Sequence, residues 1–291
     1  MLTVTTDRAK RDTDRLERPA PPAPEPLPQP VLDSHVHLDI VGSAGAGHSA
    51  GEQVEAARAV GVDRLVQVGV DVESSRWGLA AAEKTPAVVA TVALHPNDAP
   101  RLADLDAALA EISAMAEHER CRGIGETGLD FFRTSGPAEL AAQERSFRAH
   151  IAIAKRVGKP LVIHDRDAHA DILRVLDDEG APETVVLHCF SGDGDFAAEC
   201  VRRGYVLSFA GTVTFKNAVA LREAARLTPL DQLLVETDAP FLTPTPYRGA
   251  PNASYLIPLT MRALAEIKEV PLADLCHAVS TTGDRVFGPW P

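Results

Sequence analysis

Six residues of metal-ligand type stand out by their places in the sequence: His35, His37, Glu126, His164, His188 and Asp238. The first two form a His-X-His within Asp33-Ser34-His35-Val36-His37. Along an extended strand, residues i and i+2 point to the same side, so both imidazoles face one point. Glu126 closes Gly123-Ile124-Gly125-Glu126, His164 closes Leu161-Val162-Ile163-His164, His188 closes Val185-Val186-Leu187-His188, and Asp238 follows Leu234-Val235-Glu236-Thr237. Taken singly, each reads as a surface or hydrogen-bonded side chain, because exposed polar residues need no special role. Taken together they point to a divalent-metal centre, since imidazoles and carboxylates crowded at one place repel or stay unpaired unless a cation gathers them. A single zinc site takes about three protein ligands and a water. Six ligands therefore divide into two sites: His35, His37 and Asp238 for one ion, His164 and His188 for the other, and Glu126 as the bridge. Imidazole and carboxylate donors without thiolate suit Zn²⁺, Mn²⁺ or Mg²⁺ alike. The chemistry of such a centre is hydrolysis by a metal-activated water.

Elements that could bring these residues together are visible in the hydrophobic pattern. Short apolar runs recur at Val31–His37, Arg64–Val70, Val88–His95, Gly123–Leu129, Leu161–His164, Val185–Cys189, Val206–Ala210 and Leu233–Glu236. They are near-continuous and not alternating, as in parallel strands covered on both faces. Helical faces lie between them: Leu102, Leu105, Leu109, Ile112 and Met115; Leu140, Phe147, Ile151 and Ala154; Ile172, Leu173 and Leu176. Eight strand–helix units in roughly 250 residues predict an α/β protein with a (β/α)8 TIM-type barrel, whose reactive groups come from the C-terminal ends of the strands. A doubly wound open sheet is the alternative, but no GxGxxG follows the first strand.

The expected barrel is a single domain over residues 31–291. Residues 1–30, with a proline-rich stretch from Pro19 to Pro30, read as a disordered or polyproline tail without the apolar core of a secretory signal. No run of about 20 apolar residues suggests a membrane span. The four cysteines form no CxxC pair, which suits reduced thiols in the cytoplasm. The net charge is −12, so any phosphate-bearing substrate must be attracted by bound cations and local arginines. No obligate protein partner is evident.

The motifs resemble the TatD family of metal-dependent hydrolases. The matching stretches are DSHVHLD at 33–39, LHP at 94–96, GIGETGLDFFR at 123–133, PLVIHDRDA at 160–168, HCFSG at 188–192 and ETDAPFLTP at 236–244. All six ligand positions of that family are filled. The departures, Val36 and Thr127 where the family often has Cys, fall on non-ligands. The resemblance implies a barrel of the amidohydrolase superfamily, two divalent ions, and deoxyribonuclease activity on DNA, with 3′–5′ exonuclease action as the expected mode. Some relatives on this barrel bridge their metals with a carboxylated lysine on the fourth strand; Glu126 in that place favours the TatD-like branch. Alternatives from other classes are a metal-dependent amide, lactone or ester hydrolase and a non-catalytic metal-binding barrel.

Roles follow for individual residues. Glu126 and Asp238 are the expected catalytic carboxylates, with Asp238 either a general base or a pure ligand. Arg166 and Arg133 are expected to bind substrate phosphate, because a guanidinium matches phosphate geometry; Asp165 and Asp167 could pair with Arg166 instead. Lys216 and Arg248 read as solvated loop charge. Phe131, Phe132 and Phe190 could stack on bases or simply pack. Cys189 is expected to turn away from the site by strand alternation, and Gly192 and Gly194 to serve a tight turn.

Overall fold

The computed structural model describes residues 19–41, 49–288 and 290. Eight strands run through it: β1 (Val31–Val36), β2 (Val62–Val68), β3 (Val88–Val92), β4 (Cys121–Asp130), β5 (Leu161–Arg166), β6 (Val185–Leu187), β7 (Val206–Phe209) and β8 (Leu233–Val235). Each pairs in parallel with the next, in the order β1 to β8. The circle closes where Asp238 N donates to His35 O (3.0 Å) and His37 N donates to Ala239 O (2.9 Å). This is the expected barrel. β1, β3, β6, β7 and β8 are buried throughout, because one face packs into the barrel interior and the other under the helices.

A helix follows every strand: α1 (Ala50–Arg58), α2 (Val72–Lys84), α3 (Leu105–Met115), α4 (Pro137–Val157), α5 (His169–Glu179), α6 (Gly194–Arg202), α7 (Val219–Leu227) and α8 (Ile257–Lys268). A further helix, α9 (Leu272–Phe287), packs at the seam, where Leu32 of β1 fills the space a side chain on Gly283 would need. Local chemistry sets the helix starts. Asp71 and Ser74 form a reciprocal capping box on α2, while Asp104 and Asp193 accept from the first turns of α3 and α6. α4 begins at Pro137 and stops at Gly158, whose φ of 65° suits a left-handed cap.

Two strand ends are irregular where ligand-type residues sit. The β1–β2 register shifts between Asp33 and Val36, and the β4–β5 register shifts between Ile124 and Thr127. Such shifts re-aim side chains relative to a regular pleat. Gly125 and Gly128 permit the second one: a Cβ on either would lie 2.4 Å from Val162 O or 2.1 Å from His164 O.

The sequence put the start of the folded body at residue 31, and the structure moves it earlier. Residues 19–30 form no helix or strand but lie docked on the barrel as a strap. Tyr255 Oη donates to Pro21 O (2.8 Å), Arg262 Nη2 to Glu25 O (2.8 Å), and Leu27 N to Val60 O (3.0 Å). Leu27 is buried against Gly61. Prolines already limit the backbone, so little entropy is lost on docking, and buried Pro21 and Leu27 with these hydrogen bonds, and one more from Arg262 Nη2 to Pro26 O (3.2 Å), hold it. Residues 1–18 of the expected tail lie outside the described residues.

Candidate metal centre

The C-terminal halves of the strands and the turns just past them bring His35, His37, Glu126, His164, His188 and Asp238 into one cluster; Glu126 and His164 do not close their strands as the sequence suggested, since β4 runs on to Asp130 and β5 to Arg166. Glu126 is its centre, and its two oxygens face different imidazoles. Oε2 lies 3.4 Å from His35 Nε2 and 3.9 Å from His37 Nε2. Oε1 lies 2.6 Å from His164 Nδ1 and 2.8 Å from His188 Nε2. Asp238 Oδ1 stands 3.5 Å from His37 Nε2 and 3.8 Å from His35 Nε2. His188 also stacks on His35 with ring centroids 3.8 Å apart, so it stands next to the His35 side of the cluster as well as beside His164. Donor atoms of His35, His37 and Glu126 come within 4.8 Å of one another, as do those of His35, His188 and Asp238.

Outer partners fix which ring nitrogen faces inward. His37 Nδ1 lies 3.3 Å from Val68 O, which can only accept, so the proton sits on Nδ1 and the Nε2 lone pair faces Asp238. His188 Nδ1 lies 3.2 Å from Glu236 Oε1, which also accepts from Cys189 N, leaving Nε2 toward Glu126. His164 Nε2 lies 3.4 Å from Asp130 Oδ2, leaving Nδ1 toward Glu126 Oε1. A carboxylate or carbonyl behind an imidazole is the arrangement that orients metal-ligating histidines. His35, wholly buried, has neither nitrogen hydrogen-bonded. An orphaned imidazole beside two carboxylates is costly in a protein interior unless a cation takes its lone pair.

The electrostatics agree with that reading. Glu126, Glu236, Asp130 and Asp238 are four carboxylates with side chains at most 15 % exposed. Burial alone would push Glu126 up, but the neighbouring imidazoles of His188 and His95 and hydrogen bonds from His164 and His188 carry it well below the usual range. Burial and the neighbouring His188 lower His35, whereas Glu126 and Glu236 overcome burial at His188 and raise it well above an ordinary histidine. Donors of this kind fit a divalent cation with nitrogen and oxygen ligands.

Several participants were not singled out in the sequence. His95, just past β3, places Nε2 3.3 Å from Glu126 Oε1. Its position at the end of the third apolar run, in LHP, carried the same strand-end signal as the others. Asn97 N donates to His95 Nδ1 (3.0 Å), so the neutral ring holds its proton on Nε2 and donates toward Glu126. His95, Glu126 and His164 are close enough together to hold an ion. The tautomer nevertheless makes His95 a hydrogen-bond partner of the bridge. Asp130 accepts from Asn97 Nδ2 (2.8 Å) and from Arg133 N (2.8 Å). Asp33 joins the barrel seam, accepting from Thr237 N (3.0 Å) and Thr237 Oγ1 (2.5 Å).

The remaining expectations fall out unevenly. Arg166 lies at the end of β5 with its guanidinium 4.0 Å from the centre of the Phe132 ring, and Asp165 pairs with His169 (2.7 Å), not with Arg166. Arg133 is exposed, and its main chain holds Asp130. Cys189 departs from the alternation argument: β6 ends at Leu187 and Cys189 has φ 42°, so no pleat turns it away. Burial, with Asp238, Glu236 and Glu126 nearby, pushes its thiol well up, so it stays protonated. Gly192 is needed for packing, since a Cβ there would lie 2.4 Å from the Phe196 ring. Phe190 is buried. All four cysteines are free, and no described helix is long and apolar enough to cross a membrane.

Comparison with known proteins gives a consistent picture. Residues 32–288 match the family described as TatD related DNase. An uncharacterized metal-dependent hydrolase of Mycobacterium tuberculosis, TatD, is 47% identical over 261 residues, covering 89% of this chain and 98% of the relative. The uncharacterized metal-dependent hydrolase YabD of Bacillus subtilis is 36% identical over 259 residues, covering 88% and 98%. Among solved structures, the TatD homologue YjjV of Escherichia coli superposes with a TM-score of 0.82 at 26% identity, covering 89% of this chain and 98% of that one.

Proposed function

The chain belongs to the family of TatD related DNases, metal-dependent hydrolases, and from that premise we propose that it hydrolyses DNA phosphodiester bonds as a 3′–5′ exonuclease with two divalent ions. The observation that carries the two-ion reading is Glu126, whose oxygens face separate imidazole groups. His35, His37 and Asp238 would hold one ion, His164 and His188 the other, with Glu126 shared. Divalent ions bound there supply Lewis acidity toward a phosphoryl oxygen and bring the pKa of water down to about 7.

The chain's own residues do the rest. Asp238 is the most open of the four carboxylates, with 15 % of its side chain exposed, and it accepts the proton of the attacking water. His95 donates to Glu126 and steadies it. Arg166 at the end of β5 and Arg133 just past β4 hold the substrate phosphate. The negative carboxylate cluster alone would repel a phosphodiester, so these guanidiniums and the cations together must attract it.

Cleavage of end-labelled single-stranded DNA in Mg²⁺, Mn²⁺, Zn²⁺ or EDTA tests the proposal. Metal-dependent shortening from the 3′ end is expected, lost in Glu126→Ala, and abolished in Asp238→Asn while metal stays partly bound. If no metal supports cleavage although the protein binds two ions, the DNA reading falls, and ester and amide substrates take its place.

A further inference from the structure

Two arginines at the mouth of the barrel lack what most arginines of this acidic chain have. Arg148, Arg174 and Arg203 are each tied to at least two carboxylates. The side chains of Arg166 and Arg248 make no hydrogen bond or ion pair among the described residues. Each stands over a phenylalanine: Arg166 Cζ is 4.0 Å from the Phe132 ring centre, and Arg248 Cζ is 4.4 Å from that of Phe215.

Both pairs stand on the face where the strands end at the metal centre, on different sides of it. Phe132 lies in the loop after β4 and Arg166 at the end of β5. Phe215 follows the turn after β7, and Arg248 lies in the loop after β8. The loops that carry them are tied down. Thr134 Oγ1 donates to Asn97 Oδ1 (3.3 Å) beside Phe132, and Thr245 N donates to Thr214 Oγ1 (2.8 Å) beside Phe215. Phe132 is 64% exposed, among the most exposed large apolar side chains described. Folding gains little from such a ring, and a guanidinium parked on it keeps its donors free at low entropic cost.

We propose that Phe132 with Arg166 and Phe215 with Arg248 are two nucleotide subsites flanking the metal centre. In each, the guanidinium takes one phosphate and the aromatic platform takes one unpaired base. A strand lying across the mouth would engage both, with its scissile phosphate at Glu126. This rests on the nucleic-acid reading above and extends it. Arg248 is exposed in its loop, as the sequence reading of solvated loop charge has it, but its guanidinium stands over the Phe215 ring at a distance close to that of Arg166 over Phe132, and the proposal gives that placement a role. The chemistry suits nucleic acid, since phosphate calls for a bidentate cation and every base has a face to stack.

Fluorescence anisotropy of a labelled single-stranded oligonucleotide tests this in Mg²⁺ on the Asp238→Asn background, where turnover is abolished while metal stays partly bound. Arg166→Gln, Arg248→Gln and Phe132→Ala are each expected to weaken binding about tenfold. Each arginine variant should also lower the slope of log K against log salt by about 0.7, the signature of one lost phosphate contact on a single strand. Trp77→Ala, an exposed aromatic on α2, should leave binding unchanged. Unchanged affinity and slope in the folded arginine variants, with wild-type protein still binding and cleaving DNA, would overturn the subsites and leave the proposed activity standing. If wild-type protein neither binds the oligonucleotide nor cleaves it or bis(4-nitrophenyl) phosphate with metal, the activity itself falls and the subsites with it.

Discussion

His37, His164 and His188 each turn one nitrogen toward the carboxylate cluster and have the other beside a fixed acceptor, whereas His35 has no such acceptor. That difference makes separate predictions possible. Asp130 lies behind His164 and accepts from Asn97 and Arg133, so its charge is held in place before any cation arrives. Asp130→Asn should lower affinity for one divalent ion about 10- to 100-fold while leaving the other close to wild type. Isothermal titration with Mn²⁺ reads both sites, and two unaltered constants would remove Asp130 from the centre. The orphaned nitrogens of His35 make it the residue most dependent on a bound ion.

At the scale of elements, the chain brings β4 and β5 closer together than side chains allow. Gly128 has φ 141°, and a Cβ on it would meet His164 O at 2.1 Å. Gly128→Ala should therefore cost about 2 kcal/mol or more and displace His164, since backbone atoms cannot give way as a flexible side chain does. Urea denaturation measures the first effect; loss of activity exceeding the loss of folded protein reports the second. The docked strap makes another claim at this scale. Leu27→Ala removes a buried anchor and should cost roughly 2 kcal/mol. A midpoint insensitive to Leu27→Ala would show that the strap does not stabilise the barrel.

At the scale of the whole molecule, stability is linked to protons and to metal. His150 of α4 is wholly buried and accepts from Leu94 N (3.0 Å), next to His95. Burial pushes its imidazole down to about 4, against a backbone hydrogen bond to Ser146 that raises it. The unfolded chain binds this proton near pH 6.5 and the folded chain resists it. The associated stability is complete above pH 6.5 and is lost as the pH falls toward 4, about 3 kcal/mol in all. Urea midpoints at pH 7 and pH 4.5 should differ less in His150→Gln than in wild type; equal differences would exclude His150 as the source. Metal acts in the other direction. Saturating cation at about 100 times its Kd adds roughly 2.7 kcal/mol per site, so stripping both sites with EDTA should lower Tm by on the order of 10 °C. A Tm indifferent to EDTA in protein shown to lose its metal would mean that the cation does not favour the folded over the unfolded chain.

The sequence by itself determined the architecture, because burial on both faces of a parallel strand leaves a continuous apolar run that one sequence displays. All eight strands, and the six ligand-type residues near their ends, were legible for that reason. What it did not show depends on contacts between residues far apart in the chain. His95 and Asp130 lie at strand ends too, but only the fold places one beside Glu126 and the other behind His164. The tautomers of His37, His164 and His188 follow from acceptors on other strands and loops. Cys189 breaks alternation because β6 stops two residues earlier, which no local pattern marks. Residues 19–30 read as tail because prolines bury little of themselves, and the donors that hold them come from Tyr255 and Arg262 at the other end of the chain. The pairing of Arg248 with Phe215, 33 residues apart in sequence, was likewise decided only when the barrel closed and set the loops of β7 and β8 side by side.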